Sequence, residues 1–347
     1  MVQVQPLVPQ TLSRKLAETA RVQAWWSYKF SPVLATFYAT VCYLGAPVWP
    51  LVPKLLLLLA ALVVGATYVS VINDWTDQED DRLAGKHNRV AGKSKALPAT
   101  ILVFCLVAGL GMGYYFWQWS PTSTWLYLGA WVAFSLYSLP PFRFKKRGLV
   151  GVLADASGSH FFPQMLTVSL ASAWVGHALP GLWYGAVGAW ALACGLRNIL
   201  MHQLDDAQAD EEAGVNTWVR ICGPRLAQRL GQMVIFPVEV LGFAGLLVLS
   251  RQVWPVALLG VYLALEGFKW RLWGNRAMIL EPQARMLLNN YYEVFYPLAF
   301  LLVLSFRHPV DSLVLGLHVL LFAGCFWETT RQLVWAASLT VRKSLGL

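Results

Sequence analysis

The chain has 347 residues, 57% of them hydrophobic and only 13% charged, with 17 Trp. That balance excludes a soluble enzyme and indicates a polytopic membrane protein in one membrane domain. The formal charge of +9 does not call for nucleic acid, because the cytoplasmic loops of membrane proteins collect Lys and Arg.

Residues 1–10 read as a loose tail without a signal-peptide pattern. Over 11–29, Leu12, Leu16, Trp25 and Trp26 mix with Arg14, Lys15, Arg21 and Lys29, which predicts an interfacial amphipathic helix. Apolar runs then predict membrane spans at about 29–49, 52–73, 98–119, 123–140, 149–171, 179–203, 226–250, 254–272, 289–306 and 312–335. The expected organisation is a tail and interfacial helix over 1–28, a core membrane domain over 29–306 and an additional helix with its tail over 307–347. Basic residues crowd alternate loops: Arg82, Lys86, Arg89, Lys93 and Lys95, then Arg143, Lys145, Lys146 and Arg147, then Arg220, Arg225 and Arg229, then Lys269, Arg271, Arg276 and Arg285. Those loops and both termini are therefore expected in the cytoplasm. Cys42, Cys105, Cys194 and Cys325 fall in apolar spans and Cys222 in a loop, with neither zinc-ligand nor disulfide spacing.

The second predicted span runs into Asn73-Asp74-Trp75-Thr76-Asp77-Gln78-Glu79-Asp80-Asp81. Drawn as a helix, Asn73, Asp77 and Asp81 share one face, with Asp74 beside them. Like carboxylates at that spacing repel, so a bound hard cation is the expected compensation. A solvated acidic helix end is the bland alternative. The sixth span ends the same way, in Asp205-Asp206-Ala207-Gln208-Ala209-Asp210-Glu211-Glu212, with Asn198, His202, Asp206 and Asp210 at i+4 spacing. Ten of the 18 acidic residues fall in these two stretches, and that concentration favours a metal site. Four spans separate them, so both reach the same membrane face, as two parallel repeats meeting across a central cavity would.

A lipid-tailed diphosphate suits such a face. Two carboxylate clusters can hold Mg²⁺ between them, with diphosphate oxygens completing the coordination. Lys86 and Arg89 after the first cluster, and Arg143 and Lys145 in the next basic loop, can take the remaining oxygens. The tail would run between helices, where aromatic faces stabilise an allylic cation and water is kept out. Asn73-Asp74-x-x-Asp77-x-x-x-Asp81 resembles the first Asp-rich motif of the intramembrane UbiA-type prenyltransferases. Tyr137-Ser138-Leu139-Pro140-Pro141-Phe142-Arg143-Phe144-Lys145 resembles their Tyr-Ser loop, and Asp206-x-x-x-Asp210-x-x-x-Gly214-x-x-Thr217 their second motif, in family order. The resemblance implies an all-α helical bundle of nine core spans, to which the tenth is an addition. It implies that Asn73, Asp74, Asp77, Asp81, Asp206 and Asp210 hold metal and diphosphate, with Tyr137 in the catalytic set.

The expected activity is Mg²⁺-dependent transfer of a prenyl group to an unidentified acceptor, aromatic or lipid. A membrane terpene cyclase or a phosphoribosyl transfer to a polyprenyl phosphate would share the same site. A cation transporter would need ionisable residues at mid-span, where this chain is mostly apolar. Among lesser signals, His202 faces the second cluster and is a candidate base, or simply a hydrogen-bonded helix end. Asn198 and Arg197 lie deeper and are candidates by position, with snorkelling as the bland account of Arg197. Asp155, with His160 near the start of the fifth span, is a pocket candidate. Tyr291 and Tyr292 read as an aromatic belt, and Glu266 with Lys269 as a local helix pair.

Overall fold

The computed structural model describes residues 21–344, apart from 84 and 93. The expected tail over 1–10, most of the interfacial helix over 11–29, and Lys93 lie outside the described residues. The chain is all-helical, and among the described residues the only β pairing is two isolated bridges, Gly148–Thr217 and Met278–Met286.

In chain order the helices are α1 (Val22–Trp25), α2 (Ser31–Tyr43), α3 (Val52–Thr76), α4 (Gln78–Leu83), α5 (Ala96–Trp117), α6 (Pro121–Ser138), α7 (Leu149–Ala156), α8 (Phe162–Val175) and α9 (Gly181–Asp205). There follow α10 (Ala207–Glu212), α11 (Trp218–Cys222), α12 (Pro224–Leu230), α13 (Phe236–Ser250), α14 (Val253–Trp273), α15 (Tyr296–Arg307), α16 (Ser312–Leu321) and α17 (Ala323–Ser344). Trp49–Thr76, Ala96–Trp117 and Pro224–Ser250 are long and apolar enough to cross a membrane. Other expected spans carry polar groups that lower their hydropathy, such as Asp155 on α7 and His160 in the turn after it, or Arg197, Asn198 and His202 on α9. The expected span 312–335 is not one straight rod, because Pro309–Leu321 and Ala323–Gln332 meet at 73°.

π-Turns precede four of these helices: Trp26–Phe30 before α2, Ser157–Phe161 before α8, Gly231–Ile235 before α13 and Tyr291–Phe295 before α15. Each is followed by one residue and then a proline, Pro32, Pro163, Pro237 or Pro297. Proline offers no N–H to the carbonyl four residues earlier and its ring crowds that carbonyl. The helix widens there instead of breaking. One released carbonyl, that of Glu293, accepts from Ser31 Oγ at 2.5 Å, so the α2 and α15 turns lock together.

The core lies between α2, α9, α13 and α15, around the fully buried Trp183, Trp190, Tyr38 and Tyr296. Small residues set the spacing: a Cβ on Gly242 of α13 would lie 2.6 Å from the Trp190 N of α9, and one on Gly195 of α9 2.7 Å from the Ala156 O of α7. Tyr291 and Tyr292, expected in an interfacial belt, are core residues instead. Their hydroxyls donate to Pro255 O at 2.6 Å and to Glu239 Oε1 at 3.0 Å, which makes burial tolerable. Arg197 does not snorkel. It is fully buried and forks onto Glu239 at 2.6 and 2.7 Å. The Glu266–Lys269 pair is present at 3.0 Å and is joined by Arg285 at 2.7 Å. α16 belongs to the same packing, since Val314 and Phe322 are core residues and Asp311 caps Val48 N and Trp49 N at 3.0 and 2.7 Å.

Candidate active site

The two acidic stretches adopt one local structure twice. α3 and α9 are each 25 residues long, and α4 and α10 are each 6. The residue joining each pair has nearly the same backbone, Asp77 with φ −102° and ψ 3°, Asp206 with φ −91° and ψ 2°. The single helix expected through Asn73–Asp81 is thus interrupted at Asp77, and the second at Asp206. Repulsion between stacked carboxylates disfavours a continuous helix. The turn-to-turn bonds survive on both sides, Asp77 N to Asn73 O at 2.9 Å and Asp81 N to Asp77 O at 2.8 Å. Each stretch then closes alike, Lys86 N onto Asp81 O at 2.8 Å and Val215 N onto Asp210 O at 2.9 Å. Gly85 and Gly214, at φ 63° and 65°, allow that reversal.

The basic loop between α6 and α7 lies against the first stretch. Arg143 donates to Thr76 O at 2.6 Å, closing the end of α3, and pairs with Asp80 at 3.0 Å and Asp77 at 3.4 Å. Lys146 pairs with Asp80 at 2.8 Å, and Lys145 is in direct contact with Asp77. Gly148 N donates to Asn216 O at 3.2 Å, so this loop also grips the second stretch. Lys86 crosses to Asp206 at 2.9 Å. Burial, with the Lys146 cation adding to it, pushes Lys145 down to about 7. Burial raises the Asp210 carboxyl above its ordinary value.

These groups surround a polar cavity of ≈ 190 Å³, whose walls include Asp77, Asp80, Asp81, Lys86, Tyr137, Lys145, His202, Asp206 and Asp210. Beneath it lies a second cavity of ≈ 260 Å³, lined by Tyr68, Tyr127, Trp131, Phe134 and Phe162, with Lys29, Ser70, Asn73, Asp155, Ser159 and His202 among its polar members. His202 lines both. Among the described residues, no three His, Cys, Asp or Glu side chains converge into a ready-made metal cluster. Asp77, Asp80 and Asp206 are paired with basic side chains instead.

Asp77, Asp81, Asp206, Asp210, Tyr137, Lys86, Lys145 and His202 are therefore brought together, and Arg143 reaches the same carboxylates from behind. Asn73 and Asp155 face the apolar cavity, and the Asn73 carboxamide accepts from the Ser138 hydroxyl. Asp74 is fully buried in contact with the Arg21 guanidinium. Arg89 lines neither cavity. Asn198 donates to Cys194 O at 2.8 Å and lies 3.5 Å from His160. Sequence reasoning passed over Asp80, Lys146 and Asn88, the last donating to Asp81 Oδ2 and Asp74 O, both at 2.7 Å. Asp80 and Lys146 stood inside the segments already singled out but off their spacing pattern. Lys29 carried no local signal, since its neighbours in the cavity are distant in sequence.

The profile of the UbiA prenyltransferase family matches residues 33–291. Among solved structures, a UbiA homolog from Archaeoglobus fulgidus bound to GPP and Mg²⁺ superposes with a TM-score of 0.55 at 16% identity, covering 86% of this chain and 99% of the homolog. The same homolog bound to DMAPP and Mg²⁺ gives 0.54 at 15% identity, over 84% and 99%. Its Cd²⁺-bound form gives 0.53 at 17% identity, over 84% and 99%. No curated protein sequence matches the chain.

Proposed function

The chain belongs to the UbiA prenyltransferase family, and on that premise we propose that it transfers a prenyl group from an isoprenoid diphosphate to an acceptor within the membrane. The observation that carries this reading is the junction of a carboxylate-lined cavity with an aromatic one at His202. A diphosphate head fits the first and an isoprenoid tail the second. The chain is an integral membrane protein. The Lys and Arg content of alternate loops supports placing the acidic stretches and both termini in the cytoplasm, with nine core spans and a bent tenth.

The residues fit Mg²⁺. The polar cavity presents hard carboxylate oxygens from both halves of the chain, and Asp77, Asp80 and Asp206 are each neutralised by a basic side chain where ions would otherwise supply the charge. Asp77, Asp81, Asp206 and Asp210 would hold the ions, with Asp80 beside them and Asn73 at the edge nearest the tail cavity. Asp74 would first have to leave Arg21. Bound Mg²⁺ neutralises the diphosphate and stabilises its departure. Lys86, Lys145 and Arg143, once released from their carboxylates, bind phosphate oxygens. Tyr137 lines the head cavity. The rings of Tyr68, Tyr127, Trp131, Phe134 and Phe162 hold the tail, exclude water and supply π density to an allylic cation.

The test is release of inorganic diphosphate by purified protein from geranyl, farnesyl and geranylgeranyl diphosphates, with and without Mg²⁺, using membrane extract as acceptor source. Mg²⁺-dependent release with label passing into a larger lipid is expected. Label recovered only as hydrocarbon would assign a cyclase, and no release from any donor would overturn the reading.

A further inference from the structure

The mechanism above leaves a group of buried polar side chains unused at the wall of the tail cavity. Lys29 and Asp155 both line that cavity, and among the described residues neither makes an ion pair. They are joined through His160 and Ser159: Lys29 Nζ lies 3.4 Å from His160 Nε2, His160 Nδ1 lies 2.7 Å from Ser159 Oγ, and Ser159 Oγ lies 3.4 Å from Asp155 Oδ1. With Lys29 taken as an ammonium, the partners set one direction along this chain. An ammonium can only donate, and so can the Asn198 amide nitrogen 3.5 Å from the same Nε2, so Nε2 accepts. His160 then carries its proton on Nδ1 and donates to Ser159, whose hydroxyl is left to donate to Asp155. In that arrangement every donor points toward Asp155. The π-turn Ser157–Phe161 that Pro163 enforces carries the two middle members.

A carboxylate supported by one long hydrogen bond at an apolar cavity wall is costly unless something uses it. Resting on the transfer reading above, we propose that Asp155 is the catalytic base that takes the proton of the acceptor. The acceptor's electron pair forms the new bond to C1 of the donor. The C1–O bond breaks with its pair leaving on the diphosphate. The acceptor's proton passes to an Asp155 oxygen, and the resulting carboxyl returns it to water after the products leave. Asp77, Asp80 and Asp206 of the polar cavity are paired with basic side chains, whereas Asp155 has no ion pair among the described residues and lines the cavity in which the reacting carbon would sit. This moves the base role from His202, the candidate suggested by sequence, to a carboxylate one helix away.

The test compares wild type with Asp155→Asn and Asp155→Glu in lipid nanodiscs. Mg²⁺-dependent binding of geranyl thiolodiphosphate, an unreactive donor analogue, reports folding and donor capture. Passage of label from [1-³H]geranyl diphosphate into lipid, with membrane extract present, reports transfer. The expected result is analogue binding within about 3-fold of wild type for both variants, transfer lowered about 100-fold or more in Asp155→Asn, and partial recovery in Asp155→Glu. Asp155→Asn transferring like wild type would overturn the assignment and leave His202 or the departing diphosphate as base. Wild-type protein that does not bind the analogue would overturn the donor reading itself. Wild-type protein that binds it but labels no acceptor would overturn the transfer reading and this assignment with it.

Discussion

Asp77 and Asp206 each stand where a long helix ends and a short one begins, so each carboxylate is fixed by backbone on both sides. Asp77→Ala or Asp206→Ala should lower diphosphate release by roughly 100-fold or more while circular dichroism and elution volume stay unchanged. Folding with full activity in either variant would remove the metal-site argument. Burial raises the Asp210 carboxyl, so its ionised form, the one that binds a cation, is lost as pH falls through a range higher than that of a solvated carboxylate. Mg²⁺-dependent binding of the donor analogue should weaken along that acid limb. Asp210→Asn should weaken binding at every pH and flatten the limb, which titration by isothermal calorimetry would show. Arg197 illustrates the opposite use of charge. Replacing it with Met leaves Glu239 buried without its partner and should destabilise the protein by about 3–5 kcal/mol, seen as a lower melting temperature in detergent.

Among the elements, the four π-turns are the feature that places side chains. A proline two residues beyond each turn widens the helix and carries Lys29, Ser159, His160 and Glu293 on irregular backbone. The motif is visible in the chain only as an isolated proline, and the turn itself is a response to packing. The α9–α13 contact depends on Gly242, where any Cβ would meet the backbone of Trp190. Gly242→Leu must push these helices apart and should cost about 1–3 kcal/mol or more. The thermal unfolding midpoint measures that cost, and an unchanged midpoint would mean the helices can separate freely.

For the molecule as a whole, the additional C-terminal helix is part of the core. α16 inserts Val314 and His318, Phe322 just beyond it is buried too, and Asp311 ties the loop before it to the turn before α3. Ending the chain at residue 308 should therefore lower thermal stability sharply, and a truncated protein melting like the full chain would show α16 to be dispensable. Composition and hydrophobic runs by themselves determined the all-helical membrane class, because about 20 apolar residues are what a bilayer crossing demands. The two acidic stretches and the basic loop were legible too, since charge is rare in such a chain and repeats of it stand out. The sequence could not tell that Asp74 turns to Arg21, that Lys86 rather than Arg89 spans the two halves, or that Tyr291, Tyr292 and Arg197 are core. Nor could it join Lys29 to Asp155 through His160. Those outcomes depend on which helices lie side by side, and only tertiary packing brings together partners 36 to 131 residues apart.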